Sequence, residues 1–594
     1  MTKVRLERED NIGVVVIDNP PVNAGSAAVR QGLLECIASV DKDPTLRAGV
    51  LIGFGKTFIS GSDLKEFDLP LDPPQLPQVI EAIELSAKPW IAALHGAALG
   101  GGFELALGCD TRLALSGTVV GLPECGLGMI PGAGGIQRLT RLIGRVRAID
   151  LITSSRRIEA LEAAAFGMID EICAGDLREA AVDAAKALHS KRRLVEKPVP
   201  PEHENEIFAA EQRAAIAGRK RPHILSAIRH IEAVGNLPFN EGLLAERQDF
   251  QKFRISPDAR AYRSIFFAER AAGRVDVDIK AKTPSKIGII GSGEAAYSIA
   301  LSGVLAGQQV MLFELDGKTS SAMEDEIQAA PHKKVSEANP ASASVESALT
   351  RLSVVYEISS LSECGVVIES MDGNLDARKS ALSRFGPHFN ADALIASATG
   401  DDAEALSSFV NNAERMIGLH FLNPRDPEGV VEVVKTTMSS ARSIAEGVAV
   451  ARAFGHKAVI VRNVPGFAGN RIFAAYRNAC EAMVAEGMSA VDVDNALVDF
   501  GFTHGPLGAV NGHAFAKNNM TGPMISARDI QRQALTAMVN EAERVLAEGV
   551  AEKPGDIDVI MVNAFGFPRW FGGPLHWATS EGASGILKKT SQRT

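Results

Sequence analysis

Two glutamates set among glycine-rich turns are the first residues in this chain that could carry acid–base chemistry. Glu104 lies at the end of HGAALGGGFE (95–104), and Glu124 follows twenty residues later, after Gly121-Leu122-Pro123. Three successive glycines, 100–102, stand just ahead of a helical pattern. They permit close backbone approach and leave N–H groups without intrahelical acceptors. Such amides, assisted by the helix dipole, can hold an oxygen on which negative charge grows, as on a thioester during reaction. A second glycine-containing turn, Phe58-Ile59-Ser60-Gly61-Ser62-Asp63, could supply the opposing amide. Adding water across a conjugated double bond needs a base for the water and an acid for the α-carbon, and two carboxylates can share one water to do both. On spacing alone a plainer reading is equally open, with glycines that only allow tight packing and both glutamates on the surface.

A second group of residues has the spacing of a dinucleotide site. GSGEAA (291–296) follows the strand-like KIGII and is a G-x-G-x-x-A fingerprint. Gly291 would make the turn, Gly293 would admit a pyrophosphate, and Ala296 would pack helix on strand. Glu314 stands twenty-three residues past Gly291, at the end of VMLFE. A carboxylate there suits the ribose hydroxyls of NAD and would repel a 2′-phosphate, so NAD is expected over NADP. Glu294 puts an anion inside the turn, which is tolerable only with its side chain in solvent.

The elements that must position these residues follow from the pattern of the chain. Residues 1–190 alternate β-branched runs such as GVVVID (13–18) and AGVLIGF (48–54) with helical stretches, which predicts an α/β core. After Pro198-Val199-Pro200-Pro201, long charged segments with helical spacing fill 191–283 as a tail and linker. The pattern resets at Lys286 into strand, glycine turn, helix and strand, so a dinucleotide-binding domain is expected over 284–463. From Pro465 the chain reads as helical, in two pieces over 464–520 and 521–594. Each has a long helix, then Glu-Gly, then a short acidic helix, the mark of an internal repeat. A net charge of −10 over 594 residues argues against a nucleic-acid partner, which would call for a basic face. Six scattered cysteines predict reduced thiols rather than a disulfide framework or a metal site. The charged opening MTKVRLERED lacks a signal-peptide pattern, Gln592-Arg593-Thr594 is not a peroxisomal tripeptide, and no apolar run would insert in a membrane. A cytoplasmic enzyme is the expectation.

Over residues 5–190 the chain resembles the crotonase (enoyl-CoA hydratase/isomerase) superfamily. NPPVNA (19–24), GKTFISGSDLKEF (55–67), HGAALGGGFELALGCD (95–110) and GLPECGLGMIPGAGG (121–135) stand in family order. The resemblance implies a spiral β/α domain, a CoA thioester as substrate, Glu104 and Glu124 as catalytic acids, and the N–H groups of Ser62 and Gly101 as the oxyanion hole. Ser62 replaces the family's usual alanine, which matters little when the backbone donates. Both acids together imply hydration, with double-bond isomerisation as a side activity. Further on, GLHFLNP (418–424), VVEVV (430–434) and PGFAGNR (465–471) resemble the 3-hydroxyacyl-CoA dehydrogenase family. That implies His420 as catalytic base, Glu432 as its carboxylate partner and Asn470 beside the substrate, on a Rossmann-type NAD-binding domain followed by all-α domains. A histidine near neutral pKa can take a hydroxyl proton while a glutamate orients the ring. The order of parts, with NLPFNEGLLAERQDF (236–250) and YRSIFFAER (262–270) in the linker, resembles the multifunctional β-oxidation enzymes.

Several positions depart from that family. Its N-T-S-S segment reads Ser397-Ala398-Thr399-Gly400, which keeps a substrate-contacting hydroxyl at Thr399 but loses the asparagine. The fingerprint ends Glu294-Ala295-Ala296, the aspartate after Gly-Pro reads Asn511, and much of the first helical domain is missing after residue 519. Two readings follow. In one the chain hydrates a 2-enoyl-CoA and then oxidises the product with NAD; in the other only the hydratase works and the second half is a scaffold. A shortened helical domain is compatible with a monomer as well as a homodimer.

Overall fold

The computed structural model describes residues 2–70, 72–275, 281, 284–314, 348–398, 403–426, 429–508 and 526–580. Contacts divide the chain into two compact units, Met1–Arg263 and Ser264–Thr594.

The first unit is built on a six-stranded sheet in the spatial order Val4–Glu9, Ile12–Ile17, Ala48–Gly53, Trp90–Leu94, Thr111–Leu115 and Glu171–Cys173. The first pair is antiparallel and the rest are parallel. Ile12–Ile17, with the sequence IGVVVI, is buried along its whole length, as a strand covered on both faces must be. Gly49 is required in its neighbour because the Trp90 ring lies 2.4 Å from where a β-carbon would sit. A smaller sheet of Ala97–Leu99, Val119–Gly121 and Ile158–Glu159 stands beside the first. Its first two strands lead into the helix Gly101–Leu107 and the 3-10 turn Pro123–Leu127, so this small sheet aims both glutamates. The helices Pro222–Ala233 and Phe239–Arg254 share the core of residues 1–190, through Ile224, Ile228, Ile231, Phe250 and Phe253.

The second unit holds an eight-stranded sheet in the order Leu352–Val355, Gln309–Phe313, Lys286–Ile290, Val366–Glu369, Leu394–Ser397, Met416–Phe421, Val430–Lys435 and Lys457–Arg462. Its first six strands are parallel in the doubly wound order, with the switch of direction between Lys286–Ile290 and Val366–Glu369. Loops leaving the carboxyl ends of those two strands, Gly291 onward and Ser370 onward, therefore face one crevice, where such sheets bind ligands. Val430–Lys435 runs antiparallel to Met416–Phe421, and that pairing sets His420 opposite Glu432.

The helical tail repeats one device. Gly469–Ala485 is followed by Ala490–Phe500, and Ala527–Ala547 by Pro554–Ala564. In the first piece Asp494 is buried and accepts from the Leu507 N–H at 3.0 Å; in the second Asp558 is buried and accepts from the Leu575 N–H at 2.8 Å. Each leucine ends a Gly-Pro-Leu, so the same buried carboxylate anchors the same turn twice. Among the described residues no helix is long and apolar enough to cross a membrane.

Candidate functional site

The loop that carries Ser62 is tied to its neighbours before it reaches the site. Asn23 is buried and donates from Nδ2 to the carbonyls of Phe54 at 2.9 Å and Thr57 at 2.7 Å. The Gly25 N–H bonds the Gly61 carbonyl at 3.0 Å, and the Leu99 N–H bonds the Ile59 carbonyl at 3.0 Å. These bonds bring Ser62 against the start of Gly101–Leu107: a β-carbon on Gly101 would lie 2.6 Å from Ser62 Oγ. Gly100 precedes the helix at φ 53°, ψ −128°, a conformation an L side chain rarely adopts. At the first helical position the Gly101 N–H has no intrahelical acceptor, and it sits beside Ser62. The two glycine turns thus meet at Ser62 and Gly101.

Glu104 and Glu124 are both buried beside them, at 3% and 9% exposure. The Ala133 and Gly135 N–H groups donate to Glu104 Oε1 at 2.8 and 2.9 Å. Glu124 approaches Gly100 so closely that a β-carbon there would lie 2.9 Å from Oε1. Among the described residues Glu124 Oε2 has no hydrogen-bond partner. Burial pushes both carboxyls above the usual range, Glu124 well above, and the charge of Glu104 raises Glu124 further. Two amides and the nearby Arg138 and Arg247 oppose that rise at Glu104. When two buried carboxyls share one charge it settles where the donors are. The two amides and two arginines therefore favour the charged form at Glu104 over Glu124. Two buried carboxyls with unequal surroundings thus stand beside the place where the two glycine turns meet.

In the second unit, the strand pairing places His420 Nδ1 2.7 Å from Glu432 Oε2. Glu432 is fully buried, and its Oε1 accepts from the Ala468 N–H at 3.1 Å and the Gly469 N–H at 2.9 Å. The Phe467 ring lies 5.2 Å from the imidazole. Asn470 is exposed in the first turn of Gly469–Ala485, directly after the amide that holds Glu432. Thr399 lies outside the described residues.

The dinucleotide fingerprint forms the expected turn. A β-carbon on Gly291 would fall 2.3 Å from the Ser370 carbonyl oxygen, and Ala296 is buried against the same turn. Gly293 caps Glu294–Leu305 with no side chain of its own in the way. Glu294 is 78% exposed and pairs with Arg425 at 2.6 Å, which removes the difficulty of an anion inside the turn. Glu314 is 3% exposed, and among the described residues neither of its carboxylate oxygens has a hydrogen-bond partner. A buried carboxylate with free acceptors suits two ribose hydroxyls, so these residues fit NAD. One feature opposes it: Asp372 Oδ2 lies 2.3 Å from the β-carbon position of Gly293, close to where a pyrophosphate would pass.

Sequence reasoning missed the groups that hold these residues. Glu246 is fully buried behind the loop 133–137, accepting from the Gly134 N–H at 2.8 Å and the Gln137 N–H at 3.3 Å. Arg138 is fixed by two bonds to Glu84, at 2.8 and 2.7 Å. In the second unit Arg378 joins Glu369 at 2.9 and 2.6 Å and Ser397 at 2.7 Å, so Ser397 serves an internal ion pair. A signal for Glu246 was present: it falls on the apolar stripe Phe239, Leu243, Phe250 and Phe253, where a charge needs a partner.

Comparison with known proteins gives matches along most of the chain. The enoyl-CoA hydratase/isomerase family model matches residues 7–217. The models of the 3-hydroxyacyl-CoA dehydrogenase NAD-binding and C-terminal domains match 286–464 and 466–514. A peroxisomal bifunctional enzyme of Danio rerio is 28% identical over 670 residues, covering 98% of this chain and 92% of its own length. A peroxisomal fatty acid beta-oxidation multifunctional protein of Arabidopsis thaliana is 28% identical over 676 residues, covering 98% of this chain and 94% of its own. Among solved structures, an enoyl-CoA hydratase subunit of Geobacillus kaustophilus is 29% identical, with a TM-score of 0.30, over 45% of this chain and 95% of its own.

Proposed function

We propose, from the hydratase/isomerase and dehydrogenase family models that match successive parts of the chain and from relatives that match it along nearly its whole length, how its residues divide the chemistry of the two. It is a bifunctional enzyme of the fatty acid β-oxidation type. It hydrates a trans-2-enoyl-CoA to a 3-hydroxyacyl-CoA and oxidises that product to a 3-ketoacyl-CoA with NAD.

In the first step the N–H groups of Ser62 and Gly101 hold the thioester oxygen, whose charge rises as the double bond polarises. Glu104 takes a proton from water, and the hydroxyl oxygen bonds the β-carbon. Glu124 gives its proton to the α-carbon. One water is consumed, and the proton left on Glu104 returns to Glu124 before the next turnover. A 3-enoyl-CoA that loses an α-proton to one carboxylate and regains a proton on the γ-carbon would become the 2-enoyl isomer with no water added, the side activity this site allows. The observation that carries this reading is the pair of buried carboxyls of unequal surroundings, Glu104 held by two amides and Glu124 with an oxygen that has no partner among the described residues.

In the second step NAD, when bound, supplies the hydride acceptor, and the residues that would hold it are Gly291, Gly293, Ala296 and Glu314. Glu432 keeps the proton of His420 on Nδ1, so Nε2 is the nitrogen that accepts the hydroxyl proton. Asn470 and Thr399 would contact the substrate. The reading in which the second unit is only a scaffold has Asp372 on its side. The preserved His420–Glu432 pair and the unsatisfied Glu314 favour activity. Purified protein given a 2-enoyl-CoA should lose the absorbance of the conjugated thioester without NAD and form NADH with it. Loss of absorbance without NADH would support the scaffold reading.

The same proposal includes a cytoplasmic location, although relatives carry peroxisomal and glyoxysomal names, and fractionation of cells making the protein decides it. It includes a monomer or homodimer, which sedimentation distinguishes.

A further inference from the structure

The turn that holds Glu104 is itself held by another carboxylate. Along the residues 133–137, the Ala133 and Gly135 N–H groups point to Glu104, whereas those of Gly134 and Gln137 point to Glu246. The two glutamates grip one short turn by alternate amides, from opposite sides.

Glu246 reaches the turn from Phe239–Arg254, and the rest of that helix is anchored on the same segment. Arg247 Nη1 donates to the Gly132 carbonyl at 3.1 Å. The Phe250 ring fills the space that a side chain at Gly132 would need, at 2.2 Å from its β-carbon position. Phe239 lies under the guanidinium groups of Arg138 and Arg141, at 5.1 and 5.3 Å. A leucine at 246 would pack on this face without the penalty of burying a carboxyl, so the acid is explained by what it bonds. Burial, and then the charge of Glu104, push Glu246 up to about 8. A neutral acid at physiological pH matches its unequal bonds, 2.8 Å at Oε1 and 3.3 Å at Oε2.

We propose that Glu246 is a positioning residue for hydration: by holding the Gly134 and Gln137 amides it fixes the turn whose remaining amides orient Glu104. Glu246 touches neither substrate nor water in this scheme and acts through Glu104. The inference rests on the functional reading above, because it assigns Glu246 a part in the chemistry of that site.

The test uses the full chain, with hydration of a 2-enoyl-CoA measured at steady state. Glu246→Ala should lower kcat about tenfold to a hundredfold, the scale of a misplaced reacting group, with KM changed less than about threefold. Glu246→Gln keeps an oxygen for the Gly134 N–H, the shorter of the two bonds, gives up only the longer bond to Gln137, and should recover most of kcat. Oxidation of added 3-hydroxyacyl-CoA by the same preparations should stay at the parent's rate, as it reports a different unit. If Glu246→Ala does not fold, Glu246→Asp, shorter by one methylene, carries the same expectation of lost kcat at unchanged KM. A folded Ala or Asp variant with the parent's kcat overturns the proposal, as does a loss that Glu246→Gln fails to recover. A parent enzyme that hydrates no enoyl-CoA would overturn the functional reading instead.

Discussion

Glu432→Gln should disable oxidation by turning one imidazole the wrong way round. In the parent, Glu432 Oε1 accepts two amides, from Ala468 at 3.1 Å and Gly469 at 2.9 Å, and Oε2 accepts from His420 Nδ1 at 2.7 Å. A glutamine has one oxygen for these two places. Turning its NH2 toward Ala468 and Gly469 would strand two buried N–H groups, at about 1–3 kcal/mol each. Its oxygen therefore takes the amides and its NH2 faces His420. The ring must then accept at Nδ1 and carry its proton on Nε2, the nitrogen that has to receive the substrate's hydroxyl proton. A wrong tautomer fixed in this way costs about 10⁴-fold in a serine protease, and a loss of about 10³- to 10⁴-fold in kcat is expected here, with KM little changed. NADH formation from a 3-hydroxyacyl-CoA is the assay, with hydration by the same preparation as the control. A variant that oxidises within about threefold of the parent would refute the assignment of Glu432 as the group that sets the tautomer.

Three further outcomes follow from the same geometry. Asp372→Ala removes a carboxylate from the mouth of the dinucleotide turn and should tighten NAD binding about three- to tenfold, read by titration calorimetry; unchanged affinity would mean that the carboxylate swings clear. Ser62→Ala keeps the backbone donor and should leave hydration within about twofold. Gly101→Ala sets a β-carbon 2.6 Å from Ser62 Oγ and should lower kcat by about a hundredfold; equal rates in the two variants would remove these amides from the oxyanion hole. Glu246→Gln should gain stability over the parent as pH rises. The parent's carboxyl moves from 4.5 to about 8 on folding, so its folded form keeps a proton that the unfolded chain releases. That cost is absent below pH 4.5 and grows until the group ionises in the fold, reaching about 3 kcal/mol at pH 7. Melting of both proteins at pH 5 and pH 7 checks it, and a gain that does not grow with pH would contradict it.

Much of both sites was legible because their reacting groups sit where the backbone is most constrained. Glycines 100–102 announce a close approach, and Gly100 does adopt a conformation that excludes other residues. The G-x-G turn after KIGII and the spacing to Glu314 follow from strand–turn–helix geometry, which leaves few places for a carboxylate to end. His420 and Glu432 belong to antiparallel neighbours in the sheet, so family register found what spacing alone could not. The supporting groups were hidden for the opposite reason. Glu246 is more than a hundred residues from Gly134, Glu84 more than fifty from Arg138, and Ser397 nineteen from Arg378. Such contacts are made by packing: the apolar stripe around Glu246 signals that the carboxylate needs a partner, but no local pattern names it. Ser397 shows the limit well: in sequence it reads as a lost substrate contact, whereas in the fold it completes a buried ion pair with Glu369 and Arg378.

The central claim is that Glu104 and Glu124 form one acid–base pair for hydration, separable from the chemistry of the second unit. The direct measurement is the rate of loss of a 2-enoyl-CoA in Glu104→Gln and Glu124→Gln, beside the rate of NADH formation from added 3-hydroxyacyl-CoA. Each variant should lose hydration by about 10²- to 10⁴-fold while oxidising at the parent's rate. Hydration that survives either substitution, or both activities falling together, would contradict the account.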